Sequence, residues 1–355
     1  MGIDREGPPP ASAVLGRGWI IARKAAGLTA AGTLACYLTV KIVWVVVALL
    51  GHGRPGATEG GTTGWLLLNS VTVVMAATGV ALGLALALPW GMRLPAAPVL
   101  FFSWMGSGFL GSLVPYGVVA ALLGAAGVRL GDESVAESGG RSVAGEGGMS
   151  DWETAFISVG FVGMAVGLVV ALPIYLRERW PHAFVGRVGD GAYVAAPRRH
   201  LLLVSAAATA LAALWLFWAF GGTLGRNEAS GSWDLNGRLL IGSGAIWALI
   251  GACGVWALTG SPRRRLPMWL PVMTGFVASG SLFAWNSWRF VWAVLRPGDY
   301  EPLEHPAVAV VEHGVAMCAG IWMFGLIIRA HRARVTHGDA GLKNGTPGDR
   351  GALPS

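Results

Sequence analysis

The sequence predicts an all-α protein: a polytopic transmembrane helix bundle of about eight spans, built as two parallel four-helix repeats. Three observations carry this. Of the 355 residues, 54% are hydrophobic and 13% charged, against roughly a quarter charged in an average soluble domain. Apolar stretches recur at the length of about 20 residues needed to cross a hydrocarbon core. Matches between the two halves of the chain keep a nearly constant spacing. This composition excludes an ordinary soluble globular protein. It also excludes a disordered chain, which needs low hydrophobicity and high charge.

The elements follow in chain order. Residues 1–26 read as a polar cytoplasmic tail. Gly27–Leu50 is the first span; it is too long for a signal peptide, carries Lys41 and is followed by no A-x-A site. Trp65–Pro89, Ala97–Leu122 and Trp152–Leu176 complete a first membrane unit, residues 27–176. Residues 177–199 form a basic cytoplasmic linker with Arg177, Arg179, Arg187, Arg198 and Arg199. Leu201–Gly221, Leu239–Thr259, Pro267–Val294 and Pro306–Ile328 make the second unit, residues 200–330. Residues 331–355 read as a disordered cytoplasmic tail, and the Gly/Ser-rich acidic loop Leu123–Asp151 as flexible and solvated.

Charge sets the orientation. The even loops and both termini hold 18 Lys/Arg and six Asp/Glu, Arg263, Arg264 and Arg265 among them; the odd loops hold six and eleven. The positive-inside rule then puts both termini in the cytoplasm, with the protein in the cell membrane. Topology accounts for the net charge of +7, and no clustered cationic face points to nucleic acid. The expected partners are the lipid bilayer and other membrane proteins. Cys36, Cys253 and Cys318 stand singly in apolar runs and read as small buried hydrophobes.

Leu94-Pro95 and Ser107-Gly108 match Leu266-Pro267 and Ser279-Gly280, both at an offset of 172. Gly64-x-Leu-Leu matches Gly237-x-Leu-Leu at 173, and Lys41-Ile-Val-Trp44 lies near Trp215-Leu-Phe-Trp218 at 174. Four spans is an even number, so duplicated halves enter the membrane in the same sense and are related by an axis along its normal.

Lys41-x-x-Trp44, Arg93-Leu94-Pro95, Arg265-Leu266-Pro267 and Ser279-Gly280-Ser281-Leu282 give the chain its one family likeness. It resembles a group of uncharacterised multi-pass membrane proteins of high-GC actinobacteria, over about three-fifths of its length. The first half departs at Ser107-Gly108-Phe109, and the second puts Trp215 where Lys41 stands. The resemblance implies an integral membrane protein and no known activity.

Intramembrane polar groups are the site candidates, because charge in a bilayer is expensive. Lys41, about 14 residues into its span, reads as near the midplane, with Tyr37 one turn earlier on the same face. Asn69, Asn286, Arg289, Glu312 and His313 fall in the outer half. The expectation is an outward-facing polar cavity holding Lys41 and Glu312, with Glu312 neutralising Lys41 or Arg289. Arg289 can also snorkel to the interface, and His313 can be a satisfied packing residue.

Three functions stay open: a small-solute transporter, a non-catalytic subunit or scaffold of an envelope complex, and an intramembrane lipid-modifying enzyme with Glu312 or His313 as acid or base. No catalytic motif, cofactor motif or metal motif is read. Gly106-Ser-Gly108-Phe-Leu-Gly111 spells a dinucleotide fingerprint but lies inside an apolar span rather than a βαβ unit. Gly79-x-x-x-Gly83 and Gly163-x-x-x-Gly167 read as helix-packing patterns. His331 and His337 lack partners at ligand spacing. Asn344-Gly345-Thr346 is a sequon on the inner tail. Trp65, Trp152, Trp269 and Trp292 read as interfacial anchors, while Trp215, Trp218, Trp247 and Trp285 read as bundle packing. Pro89, Pro115 and Pro173 fall in or at the end of helices, and Pro115 is placed to kink the third span.

Overall fold

A computed structural model describes residues 15–51, 62–128, 151–181, 184–188, 196–227, 234–259, 266–296 and 301–344. The acidic loop, the Arg263–Arg265 run and the extreme ends of both tails lie outside these residues. The regular structure among the described residues is helical: α1 (Arg17–Leu49), α2 (Thr62–Ala87), α3 (Ala96–Gly106), α4 (Leu113–Ala125), α5 (Asp151–Arg179), α6 (Arg198–Ala219), α7 (Leu235–Thr259), α8 (Trp269–Leu295) and α9 (Pro306–Asn344). A 3₁₀ turn, Pro89–Arg93, joins α2 to α3, and a π-helical segment, Ser107–Gly111, joins α3 to α4.

Among the described residues, seven segments are long and apolar enough to cross a membrane, with α3, the π segment and α4 counting as one. They support a membrane-embedded protein. The segment that does not reach that apolarity is α8, at 27 residues. Trp285, Asn286, Ser287, Trp288, Arg289 and Trp292 lower its hydropathy. Gly275, Ala278, Gly280 and Leu282 of α8 are buried, so this helix is wrapped largely by protein. By contrast Val74, Val162, Leu203, Ile246, Val311 and Ile321 are exposed. Helices apolar on all sides, with aliphatic residues outside as well as inside, suit a solvent of lipid tails.

Two hydrophobic cores form. One draws on α1–α5, with Leu34, Trp44, Met164, Leu168 and Tyr175. The other draws on α6–α9, with Trp215, Trp218, Val255, Met323 and Ile327. α8 serves both: Phe276 belongs to the first core and Leu282 to the second. In the first half α1 packs on α2 and α5, and in the second α9 packs on α8, α6 and α7. Small residues permit the close approach: a Cβ on Gly83 would lie 2.9 Å from Ala31 N, and one on Gly167 would lie 2.6 Å from Ala26 O.

The halves meet where α8 crosses the π segment. A Cβ on Gly108 would lie 2.0 Å from the carbonyl carbon of Gly280. Trp104 Nε1 donates to Ser279 Oγ at 2.9 Å and its ring stacks on Phe283 and Phe324, both at 4.7 Å. The π segment widens the helix at this crossing, with Ser112 N bonding Ser107 O at 3.1 Å, and it ends at Gly111, four residues before Pro115. Ser112 Oγ donates to Gly108 O at 2.5 Å, and Trp247 Nε1 donates to Ser112 O at 2.9 Å. The backbone groups loosened by the bulge are thus partly taken up again.

Several expectations change. α1 starts at Arg17, because Arg23 is drawn into the bundle by Leu86 O and by Glu178 Oε2 at 3.0 Å. α9 continues to Asn344, since no proline interrupts it and Arg329, Ala330 and Arg332 are good helix formers. Part of each expected tail is therefore helical. Cys253 and Cys318 face out of the bundle and Cys36 is half-buried: mid-span positions on an outward face are exposed to lipid rather than to the core. Trp65, expected as an interfacial anchor, is buried in the first core, while Trp152 and Trp269 are exposed near helix ends.

At the end bearing the basic linker, Arg179 ties α5 to the 3₁₀ turn. It donates to Gly91 O at 3.1 Å, to Tyr175 Oη at 2.6 Å and to Leu94 O, while Tyr175 Oη donates to Gly91 O at 2.8 Å. Arg179→Ala should cost about 1–2 kcal/mol and Tyr175→Phe about 1 kcal/mol. Thermal unfolding in detergent reads both, and an unchanged midpoint in Arg179→Ala would show that this tie carries no stability.

Candidate functional site

α1 starts at the basic end, so the polar residues of interest collect at the other, acidic end of the bundle. Lys41 lies eight residues, about 12 Å, before the end of α1, and so sits above the middle of that longer helix. Asn69 lies seven residues into α2 and Glu312 six into α9, at roughly 9–11 Å depth. The similar depths place these groups in one layer.

In the first half, Tyr37, Lys41 and Trp44 share one face of α1 at i, i+4, i+7 spacing. Lys41 is 2% exposed. Its Nζ donates to Asn69 Oδ1 at 3.2 Å and lies 4.1 Å from the Trp44 ring centroid and 5.7 Å from that of Tyr37. Asn69 Nδ2 donates to Trp65 O at 2.9 Å, which orients its oxygen toward the ammonium. Trp44 Nε1 donates to Glu153 Oε1 of α5 at 2.7 Å. A buried ammonium thus gains an amide oxygen and the π-faces of two rings.

In the second half, Trp215 Nε1 of α6 donates to Glu312 Oε1 of α9 at 2.7 Å. Asn286 Nδ2 donates to Leu282 O at 2.8 Å, so its Oδ1 is the acceptor facing His313 Nδ1 at 2.9 Å, and the proton is assigned to that nitrogen. His313 Nδ1 is also 3.7 Å from Glu312 Oε1. Arg289 is near enough for its charge to act on both Glu312 and His313.

Glu304 completes this cluster from outside the helices. It pairs in an antiparallel bridge with Arg226, framed by His305 N to Gly225 O at 2.9 Å and Asn227 N to Leu303 O at 3.0 Å. The two connections at the acidic end are thereby clipped together, and the Glu304 side chain is turned inward, 3% exposed. Burial holds the Arg226 guanidinium below its ordinary pKa, against the opposing pull of Glu304.

Between the halves lies a cavity of about 70 Å³ whose wall includes Ser112 and Leu113 from one half and Trp215, Ser281, Asn286 and Arg289 from the other. Hydroxyls, an amide and one guanidinium can hold a small polar molecule there.

The sequence-predicted residues therefore fall into two groups. Tyr37, Lys41 and Asn69 come together in the first half. Asn286, Glu312 and His313 come together in the second, with Arg289 on the cavity wall. Lys41 and Glu312, expected to share one cavity, sit in different halves with separate partners, and the cation whose charge acts on Glu312 is Arg289. Sequence reasoning missed Glu153, just inside the fourth span, and Glu304, counted only as a loop acid, as well as the donor roles of Trp44 and Trp215. A usable signal was present: Trp44 lies on the face of Lys41, and Glu304 precedes Glu312 by about two helical turns.

No protein-family model, no curated protein and no solved structure matches this chain, so the geometry alone carries the functional reading.

Proposed function

We propose that this chain is an eight-span integral protein of the cell membrane, with both termini cytoplasmic, that binds and passes a small polar solute through a cavity between two parallel four-helix repeats. The observation that carries the reading is the position of that cavity. It sits beside the crossing of Gly108 and Gly280, residues that the sequence pairs at an offset of 172. Solute sites between repeats near an axis along the membrane normal are a general feature of transporters built by duplication.

Two further points support the repeat. Each half has an indole on its first helix donating to a carboxylate on its last, at 2.7 Å in both cases. Counted structurally, Trp215 then answers to Trp44 rather than to Lys41. α8 holds the place in the second half that α3 and α4 hold in the first, which supports it as the eighth span. The loop charges, 18 Lys/Arg on one side against six on the other, support cytoplasmic termini.

A second reading, a non-catalytic subunit of an envelope complex, is favoured by the size of the cavity. At about 70 Å³ it holds only a few waters, so passage of a larger solute requires the halves to part. Reconstituted vesicles loaded with a panel of labelled amino acids, carboxylates and sugars separate the readings. A permease gives flux above empty vesicles for one class, and Arg289→Gln or Ser281→Leu lowers that flux at least tenfold while the protein still inserts. Absence of flux for every class, together with stoichiometric co-purification of a membrane partner, overturns transport in favour of the subunit.

A further inference from the structure

We propose that Glu304, Glu312 and His313 form a binding site for a first-row divalent cation of the Zn²⁺ class. One ligand atom from each residue lies within 4.8 Å of the others. All three side chains are buried, at 3%, 3% and 1% exposure. Glu304 Oε1 and Glu312 Oε2 are buried with no hydrogen-bond partner. Two carboxylate oxygens turned into a closed space with no hydrogen-bond donor are costly, and the charges of Arg226 and Arg289 offset that cost only in part.

The donor set selects the ion. One imidazole with two carboxylates suits Zn²⁺ or Mn²⁺, whereas Ca²⁺ needs six to eight oxygens. The outer shell is already built. Trp215 fixes the other oxygen of Glu312, Asn286 orients the His313 ring, and the bridge with Arg226 pins Glu304. A tetrahedral zinc site has ligand atoms about 3.3 Å apart, so binding draws the three groups inward. Arg289 and Arg226 oppose the ion, since their charges act on Glu312 and Glu304 respectively. That opposition makes the site testable in two directions.

The experiment uses the full chain in detergent micelles, dialysed against ZnCl₂ or MnCl₂, with MgCl₂ and CaCl₂ as comparators, and counts bound metal by elemental analysis. The expected result is one Zn²⁺ per chain, at least tenfold weaker binding in Glu304→Gln, and tighter binding in Arg289→Gln. Glu304 lies outside the helices, so its variant keeps the Trp215–Glu312 bond; monodisperse elution checks the fold. Should it fail to elute so, Glu304→Asp, which keeps the charge but shortens the reach, must weaken binding measurably. No Zn²⁺ above the buffer blank in the parent chain overturns the proposal, as does unchanged binding in the Glu304 variant. Bound metal is counted at equilibrium, so a chain that passes no solute still tests the site.

Discussion

Replacing Gly108 by alanine should separate the two halves of the bundle and cost about 3 kcal/mol, the upper end for overpacking a close-packed interior. The added Cβ would stand 2.0 Å from the carbonyl carbon of Gly280, 2.3 Å from its oxygen and 2.4 Å from Ser281 N. All three are backbone atoms, so no side chain can swing aside. α8 must instead retreat, which also breaks the Trp104–Ser279 bond and the stacking of Trp104 on Phe283 and Phe324. Gly117→Ala on α4 is the control. Nothing lies within 4 Å of its Cβ, and it should be neutral or gain up to about 1 kcal/mol from helix propensity. Thermal unfolding in detergent, followed by fluorescence-detected gel filtration, measures both. Equal stability of Gly108→Ala and the parent would show that this crossing does not hold the halves together.

Trp44→Phe and Trp215→Phe should each cost about 2 kcal/mol. Interhelical polar contacts in membranes are worth about 1–2 kcal/mol at most, because the unfolded chain in lipid also finds partners. A charged acceptor puts each of these bonds near the top of that range, and the smaller ring leaves a void besides. The bonds lie in different halves with different partners, so the double variant should lose the sum to within about 0.5 kcal/mol. Trp269→Phe, at an exposed position, should change stability by less than about 0.5 kcal/mol. A double variant no worse than either single one would contradict two separate halves.

Helix-level architecture was legible because a membrane span needs only length and apolarity. The third span shows where that reading stops. Pro115 announced a distortion, but its form, a π segment at Gly108, depends on Gly280 arriving from 172 residues away. Lys41 and Glu312 were legible as buried charge for the same reason that spans were: any ion in an apolar run stands out. Their partners were not. Charge balance on paper offered Glu312 either Lys41 or Arg289, whereas the folded chain gives Lys41 a nearby amide and two rings and leaves Arg289 to act on Glu312. Glu304 was invisible because its burial comes from the bridge with Arg226, a contact between two connections with no periodic pattern of their own.

The make-up of α8 bears on how the chain is born. A segment with Asn286, Arg289 and four tryptophans is a poor candidate for partitioning unaided from a translocation channel into lipid. It emerges late, after the first half is complete, and its Gly280 edge fits a surface that the first half already presents. On that order the earlier helices would offer the later one its docking surface, and the sequence of synthesis would become part of how this chain specifies its fold.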